Sequence, residues 1–275
     1  MTKRYITDQL HEFYRISLGY KKSLHEEQTE FQKIQVVQTE YFGNVLLLDG
    51  IIQLTEFDNA AYHEMMAHVP LMAHKHAKKV LIVGGGDGGA LQQVLLHPNV
   101  EQVTVVELDR RVVEVCKKYF PKFGDPFSDP RVNLVVEDAF HYLGGKSKQF
   151  DVALVDSTDP IGEAGKLFTG EFYELLVGAL GRQGVAVTQC EQMYFDAPLI
   201  REMLDTAKGL VKEPAYYYAL VPTYPGGGIG FLYMSDVPWK NGLGKKYPAT
   251  ANYINAEVHA GAFGLPEFLK KQLGA

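Results

Sequence analysis

The sequence predicts an α/β protein: a Rossmann-like, doubly wound sheet preceded by a small antiparallel β domain. Three observations predict it. Strand-like and helix-like segments alternate from about residue 79 onward, the pattern of a mostly parallel sheet. Within that alternation Val80-Leu81-Ile82-Val83, the turn Gly84-Gly85-Gly86-Asp87-Gly88-Gly89 and Val103-Thr104-Val105-Val106-Glu107-Leu108-Asp109 form a βαβ unit around a glycine-rich turn. The first 57 residues instead carry short alternating runs joined by turn residues. The chain is therefore divided into an N-terminal β-strand domain, 1–57, and a Rossmann-like domain, 58–275.

In the first domain, Phe13-Tyr14-Arg15-Ile16-Ser17-Leu18 and Phe31-Gln32-Lys33-Ile34-Gln35-Val36 alternate. Tyr41-Phe42-Gly43-Asn44 reads as a turn, and Asp49-Gly50 between two apolar runs is a hairpin signal. From Asp58 to about His74 the period becomes helical, with Asp58 as N-cap and Tyr62, Met65, Met66 and Val69 on one side. Strands are expected near 80–83, 103–107, 132–136, 151–155, 184–188, 215–221 and 229–235. Helices are expected near 88–96, 110–118, 138–143, 170–180 and 197–209. The last two strands are separated only by Pro222-Thr223-Tyr224-Pro225-Gly226-Gly227-Gly228, a hairpin loop, so the sheet should end with an antiparallel strand.

The bulk numbers exclude some functions. The chain has 275 residues and a net charge of −6, which disfavours nucleic acid and mildly favours cationic ligands. Cys116 and Cys190 are far apart with no C-x-x-C, against a disulfide framework or a zinc site. No apolar run approaches membrane-spanning length, and the first residues are not followed by a signal core. The expectation is a cytoplasmic protein with no membrane partner.

Ligands of such sheets sit at the carboxyl ends of the strands. Gly84, Gly86 and Gly89 satisfy G-x-G-x-x-G, and Glu107 ends the second strand where an acid bonds ribose hydroxyls. Asp87 decides between nucleosides. In a dinucleotide site it would face a pyrophosphate, at about 4 kcal/mol per like-charge pair. A sulfonium nucleoside is cationic and would be attracted. The competing reading is that Asp87 caps the next helix. Asp109 is expected to cap its helix, and Asp138 to accept from an adenine amino group or to cap.

The fourth strand ends Val155-Asp156-Ser157-Thr158-Asp159-Pro160. Asp156 and Asp159 would project at the same edge, hold each other's pKa values apart and bind an amine; ordinary turn chemistry is the alternative. A sulfonium makes the adjacent carbon electrophilic, and an attacking amine must be neutral. Deprotonating an alkyl amine at pH 7 costs about 4.6 kcal/mol. A carboxylate that accepts the proton during attack removes that obstacle, and Asp156 is placed to be that base.

The combination VLIVGGGDGG, VTVVELD, VVEDAF, FDVALVDSTDP followed by KLF, PTYPGGGIGF and YINAEVHAGAFGLPEF resembles the spermidine synthases, the polyamine aminopropyltransferases. The resemblance runs from about residue 12 to 270. It implies aminopropyl transfer from decarboxylated S-adenosylmethionine to putrescine, releasing 5′-methylthioadenosine and spermidine. It implies no metal and no cofactor beyond that co-substrate, and a homodimer or homotetramer. Carried over by motif, Asp156 is the proton acceptor, with Ser157, Thr158 and Asp159 beside the acceptor amine. Asp87 and His63 hold the amino end of the aminopropyl group or polyamine. Gln32 and Glu107 hold the nucleoside, with Asp138 and Ala139 at the adenine. Tyr62 and Tyr224 line the polyamine channel, Gln53 is a contact, and Gln189 is a weaker candidate.

Two departures stand out. Ile161-Gly162-Glu163 replaces the Gly-Pro that usually follows Asp-Pro-x, which should loosen the loop from Ser157 to Phe168. Ala90-Leu91-Gln92-Gln93 replaces a common Arg-Glu pair without touching a catalytic position. The rival readings are a polyamine N-methyltransferase using intact S-adenosylmethionine, a Rossmann oxidoreductase and a non-catalytic polyamine binder. Asp87 opposes the first two, and the chain shows no hydride-chemistry constellation.

Overall fold

The computed structural model describes residues 4–123, 125–160 and 162–274, without the side chains of Lys122 and Glu163. Ile161 and the Glu163 side chain, on which the loosened-loop expectation rests, thus lie outside the described residues.

Two sheets organise the chain. The first is antiparallel in chain order: β1 (Arg4–Thr7), β2 (Ser17–Gln28), β3 (Lys33–Thr39), β4 (Asn44–Leu48) and β5 (Ile51–Thr55). At the β4–β5 turn Asp49 and Gly50 both take positive φ, 50° and 79°, the twist a two-residue hairpin needs. The alternation of residues 13–18 becomes strand only at Ser17, because β1 ends at Thr7, which pairs with Ser17. Phe13 has no strand partner and is 74% exposed.

Helix α1 (Asn59–Ala73) departs from expectation in two ways. It is buried on all sides over residues 61–73, not on one. The reason is a covering C-terminal segment: buried Glu64 accepts the backbone N–H groups of Asn252, Tyr253 and Ile254, each at 2.8 Å. Asp58 occupies the N-cap position without capping. Its carboxylate instead accepts from Thr55 Oγ1 at 2.6 Å, Thr223 N at 2.9 Å and Thr223 Oγ1 at 2.8 Å.

The second sheet has β6 (Lys79–Gly84), β7 (Gln102–Glu107), β8 (Val132–Val136), β9 (Phe150–Asp156), β10 (Leu180–Gln189), β11 (Ala215–Leu220) and β12 (Gly228–Ser235). Their order is β11-β12-β10-β9-β6-β7-β8. The hairpin forms as expected, but antiparallel β12 lies between β10 and the edge strand β11. Between the strands run α2 (Gly89–Leu95), α3 (Arg110–Tyr119), α4 (Ala139–Leu143), α5 (Gly170–Ala179) and α6 (Ala197–Lys208). Two more helices, α7 (Ala256–Ala262) and α8 (Glu267–Leu273), were not anticipated. Asn255, whose side chain accepts from Glu257 N and Val258 N, was the readable start signal of α7.

The strands are buried on both faces, as continuous apolar runs require. Val80, Ile82, Val152 and Leu154 enter one core with α1 residues, and Leu81, Val83, Ala153 and Val155 enter the other with α5 and α6 residues. A third cluster packs the first sheet onto α3 through Ile34, Val36, Leu46 and Leu48 against Val112, Val115 and Cys116. No helix of the described residues is long and apolar enough to cross a membrane.

The chain starts the second sheet at β6, adds β7 and β8 on one side, then returns to add β9 and β10 on the other. That reversal opens a crevice between β6 and β9 at their carboxyl ends. Gly84 and Asp156 are paired across it.

Candidate active site

A cavity of about 280 Å³ opens at this crevice. The ends of β6, β7, β8 and β9 form its floor, and Leu46, Leu48 and Ile51 of the first sheet form one wall. Gln32, Gln53, Tyr62, Asp87, Glu107, Asp138, Ala139, Asp156, Ser157, Thr158, Asp159, Gln189 and Tyr224 all line it. His63 is the exception: it is 2% exposed and stands behind Asp87.

The glycine turn is seated by close approach. Gly84 has φ 74°, and a Cβ there would lie 2.2 Å from the Asp156 backbone oxygen. Gly85 N donates to that same oxygen at 2.8 Å. At Gly89 a Cβ would fall 2.0 Å from the His63 ring, so glycine is what admits the histidine.

The N-cap place of α2 is taken by Gly88 and not by Asp87, whose two oxygens have separate partners. Oδ1 accepts from Gly89 N at 2.7 Å, a local turn bond at the start of α2, and Oδ2 lies 3.2 Å from His63 Nε2. Burial acts to lower the His63 pKa, but the charge and hydrogen bond of Asp87 outweigh it and the net shift is upward. Burial likewise acts to raise Asp87, and the His63 charge and the Gly89 N–H hold it below the ordinary value. Both shifts favour the charged forms of the pair, and Asp87 lines the cavity with His63 behind it.

Burial pushes Glu107 up to about 7, eased by the N–H groups of Asp109 and Gly86 and increased by the Asp109 charge. Asp109 does cap α3, through Oδ1 and Arg111 N at 3.0 Å. Its Oδ2 accepts from Thr29 Oγ1 at 2.7 Å and Gln32 Nε2 at 3.2 Å. It thus holds Gln32, in the turn between β2 and β3, at the cavity, a role the sequence reading missed. Asp138 caps α4 through His141 N at 3.0 Å while lining the cavity beside Ala139.

At the other end, the Tyr62 hydroxyl donates to Asp156 Oδ1 at 2.8 Å and lies 3.2 Å from Gln189 Oε1. Asp156 Oδ2 and Ser157 Oγ are buried without a partner among the described residues. Burial, then the Asp87 charge, push Asp156 up to about 7, against the pull of His63 and the Tyr62 hydrogen bond. Asp159 accepts from Gln189 Nε2 at 3.4 Å and Gln53 Nε2 at 3.5 Å. Burial takes it up to about 6; the Gln53 bond eases this, and Asp8 and Asp196 add to it. The expectation that Asp156 and Asp159 chiefly perturb each other is thus corrected: each is raised by its own burial, and Asp87 is the charge that acts on Asp156.

Tyr224 donates its hydroxyl to Gln53 O at 2.5 Å and packs edge-on to Tyr62, 6.1 Å between centroids. The Asp58–Thr223 bonds anchor its loop, which local sequence does not show. Burial and neighbouring carboxylates hold both tyrosines far above the ordinary phenol pKa, so they donate hydrogen bonds and keep their protons. Glu191 lies two residues past the end of β10 and outside this cavity's lining.

Ligand atoms of His63, Asp87 and Asp156 lie within 4.8 Å of one another. Two carboxylates at that spacing suit a cationic group, and the apolar wall suits a nucleoside beside it.

Residues 59–241 match the family profile described as "Spermine/spermidine synthase domain", and residues 6–56 match "Spermidine synthase tetramerisation domain". The chain is 41% identical over 262 residues to a spermidine synthase of Dictyostelium discoideum, covering 94% of this chain and 92% of that one. It is 38% identical over 271 residues to a polyamine aminopropyltransferase of Bacillus subtilis, covering 98% of both. A spermidine synthase solved in complex with the transition state analogue AdoDATO superposes with a TM-score of 0.95 at 33% identity, covering 98% of this chain and 95% of that one. The spermidine synthase of Thermotoga maritima gives 0.92 at 32% identity, covering 98% and 94%. Two profiles that abut between β5 and α1, and relatives that align nearly end to end, place this chain in the spermine/spermidine synthase family.

Proposed function

We propose that this protein transfers the aminopropyl group of decarboxylated S-adenosylmethionine to putrescine, with Asp156 as general base. The observation that carries the reading is the Asp156 carboxylate. One oxygen is fixed by Tyr62, and the other is buried in the cavity wall without a partner among the described residues. A buried acceptor left so is costly unless a ligand donor meets it. An attacking amine supplies that donor.

In this reading the nucleoside lies along Gln32, Glu107, Asp138 and Ala139, and the donor's ammonium meets Asp87. Intact S-adenosylmethionine carries an additional carboxylate at that end, which ionised Asp87 would repel. The acceptor lies along Gln53, Tyr62, Ser157, Thr158, Asp159 and Tyr224. Its nitrogen attacks the propyl carbon next to sulfur. The carbon–sulfur bond breaks, its electron pair stays on sulfur as a neutral thioether, and the nitrogen's proton passes to Asp156. Holding nitrogen, carbon and sulfur in line supplies much of the acceleration. No metal or further cofactor enters the reaction. The match of residues 6–56 to a tetramerisation profile supports a homo-oligomer, a dimer or tetramer. The free, buried Cys116 and Cys190 fit a cytoplasmic setting.

The test incubates the protein with putrescine and either the decarboxylated or the intact donor, for wild type and Asp156→Asn, identifying products by mass. Spermidine and methylthioadenosine from the decarboxylated donor alone, with turnover collapsing in the variant, is the expected result. Methylated putrescine from the intact donor would overturn the reaction. Undiminished transfer by Asp156→Asn would overturn the mechanism.

A further inference from the structure

The loop that carries Tyr224 is tied to the rest of the protein through a buried acid. It joins β11 to β12, and within itself it makes turn bonds: Tyr224 N donates to Val221 O at 3.0 Å and Gly227 N to Tyr224 O at 2.9 Å. Gly226 and Gly227 take positive φ, 72° and 76°, so this side of the loop adds little stiffness of its own. Outward, Gln192 Nε2 donates to Gly226 O at 3.4 Å, and the Tyr224 hydroxyl donates to Gln53 O at 2.5 Å. The tie shielded from water is Thr223, 1% exposed, whose N–H and hydroxyl both meet the Asp58 carboxylate.

Asp58 is used in an unusual way. It stands in the N-cap place of α1, where a carboxylate ordinarily takes the first N–H groups of its helix, yet its side chain makes no such bond. It joins three elements instead: Thr55 at the end of β5, its own helix α1, and the β11–β12 loop. Each of these brings one residue to the acceptor end of the cavity, Gln53 from β5, Tyr62 from α1 and Tyr224 from the loop. Tyr62 in turn bonds Asp156, and the Tyr224 ring stands edge-on to Tyr62. A local rule broken at the one point where three ligand-facing elements meet is what a functional demand on geometry produces. Hydrogen bonds to a carboxylate are among the strong ones, so loss of this clamp frees the loop.

We infer that Asp58 is a positioning residue for the acceptor amine: through Thr223 it fixes the β11–β12 loop and so holds Tyr224 against Tyr62, whose hydroxyl sits on Asp156. The inference rests on the proposed function. Neither Asp58 nor Thr223 lines the cavity, so both act through the residues they hold. The nucleoside side is placed separately, Gln32 by Asp109, and Glu107 and Asp138 by the ends of β7 and β8. Loosening the clamp therefore falls on the acceptor and spares the nucleoside.

The test measures transfer from decarboxylated S-adenosylmethionine to putrescine for wild type, Thr223→Val, Thr223→Ser and Asp58→Ala. The Kd of methylthioadenosine reports folding and the integrity of the nucleoside side. Thr223→Val keeps the shape and the backbone bond but loses the hydroxyl. It should raise the KM for putrescine about tenfold and lower kcat less than about threefold, with methylthioadenosine binding unchanged. Thr223→Ser keeps the hydroxyl and should stay within about twofold of wild type. Asp58→Ala should move KM in the same direction and further. An unchanged KM in Thr223→Val, an equal rise in Thr223→Ser, or a matching loss of methylthioadenosine affinity in Thr223→Val would each overturn the inference. If Asp58→Ala loses methylthioadenosine binding and so fails to fold, the two Thr223 variants decide alone. A wild type that transfers nothing to putrescine would sink the underlying reaction instead.

Discussion

The two ends of the cavity are built differently. At the donor end every acid is engaged: Asp87 by His63 and Gly89 N, Glu107 by Asp109 N, and Asp109 by Arg111 N, Thr29 and Gln32. At the acceptor end Asp156 Oδ2 and Ser157 Oγ are buried with no partner among the described residues. The first end is preorganised by the protein's own donors. The second leaves acceptor atoms without protein donors among the described residues, which the proposed amine would complete. Burial raises the carboxyl pKa at both ends, Glu107 and Asp156 to about 7, and a raised pKa is what a general base needs at neutral pH.

The largest expected break in this contrast is Asp156→Asn. Losing the base should lower kcat by about 10²–10⁴-fold with a smaller change in donor KM. Steady-state kinetics at pH 8 checks it, and a loss confined to KM would assign Asp156 to binding alone. Next is Asp87→Asn, which removes a charge at the donor end. It should raise the KM of the decarboxylated donor about 10–100-fold and narrow the preference over the intact donor. An unchanged preference would show that Asp87 does not read the donor's charge.

Titration sharpens the comparison. Asp156 must be ionised to accept a proton, so kcat/KM should rise with pH through about 7, a limb absent in Asp156→Asn. At the donor end, in the proposed pose, Glu107 is a stronger acceptor for ribose hydroxyls when ionised. Methylthioadenosine should therefore bind a few-fold tighter as pH rises through about 7, and Glu107→Gln should flatten that dependence. Calorimetry across pH 6–8 separates the two ends, because this ligand carries no amine for Asp156.

The smallest effect is on stability. The folded pKa of Asp156 lies above its unfolded value, so stability falls as pH rises from about 4 to about 7 and stays at the lower level beyond. Ligand-free Asp156→Asn should consequently melt a few degrees higher than wild type at pH 8 and no higher at pH 3. Chelation with EDTA should leave transfer unchanged, and a loss restored by a divalent cation would give the His63–Asp87–Asp156 cluster to a metal.

Much of the donor end was legible because it is local. Gly84 through Gly89, Glu107 and Asp138 each follow a strand within a few residues, and backbone geometry alone carries them to one edge. The acceptor end was only partly legible. Asp156 could be read from its strand, but the bond from Tyr62 spans 94 residues, that from Gln53 to Asp159 spans 106, and Tyr224 returns to Gln53 across 171. Asp58 shows the same limit: an acid before a helix reads as a cap, and only the fold reveals Thr223 as its partner.

The sequence by itself determined the alternating elements, the glycine turn and the strand-end acids, since these follow from periodicity and short-range sterics. Tertiary structure alone decided that α1 is buried on every side, that His63 backs Asp87 instead of lining the cavity, and that Asp58 holds Thr223. Those outcomes depend on which distant segments pack together. Burial then sets each carboxyl's pKa through desolvation, a quantity with no local signature in the chain.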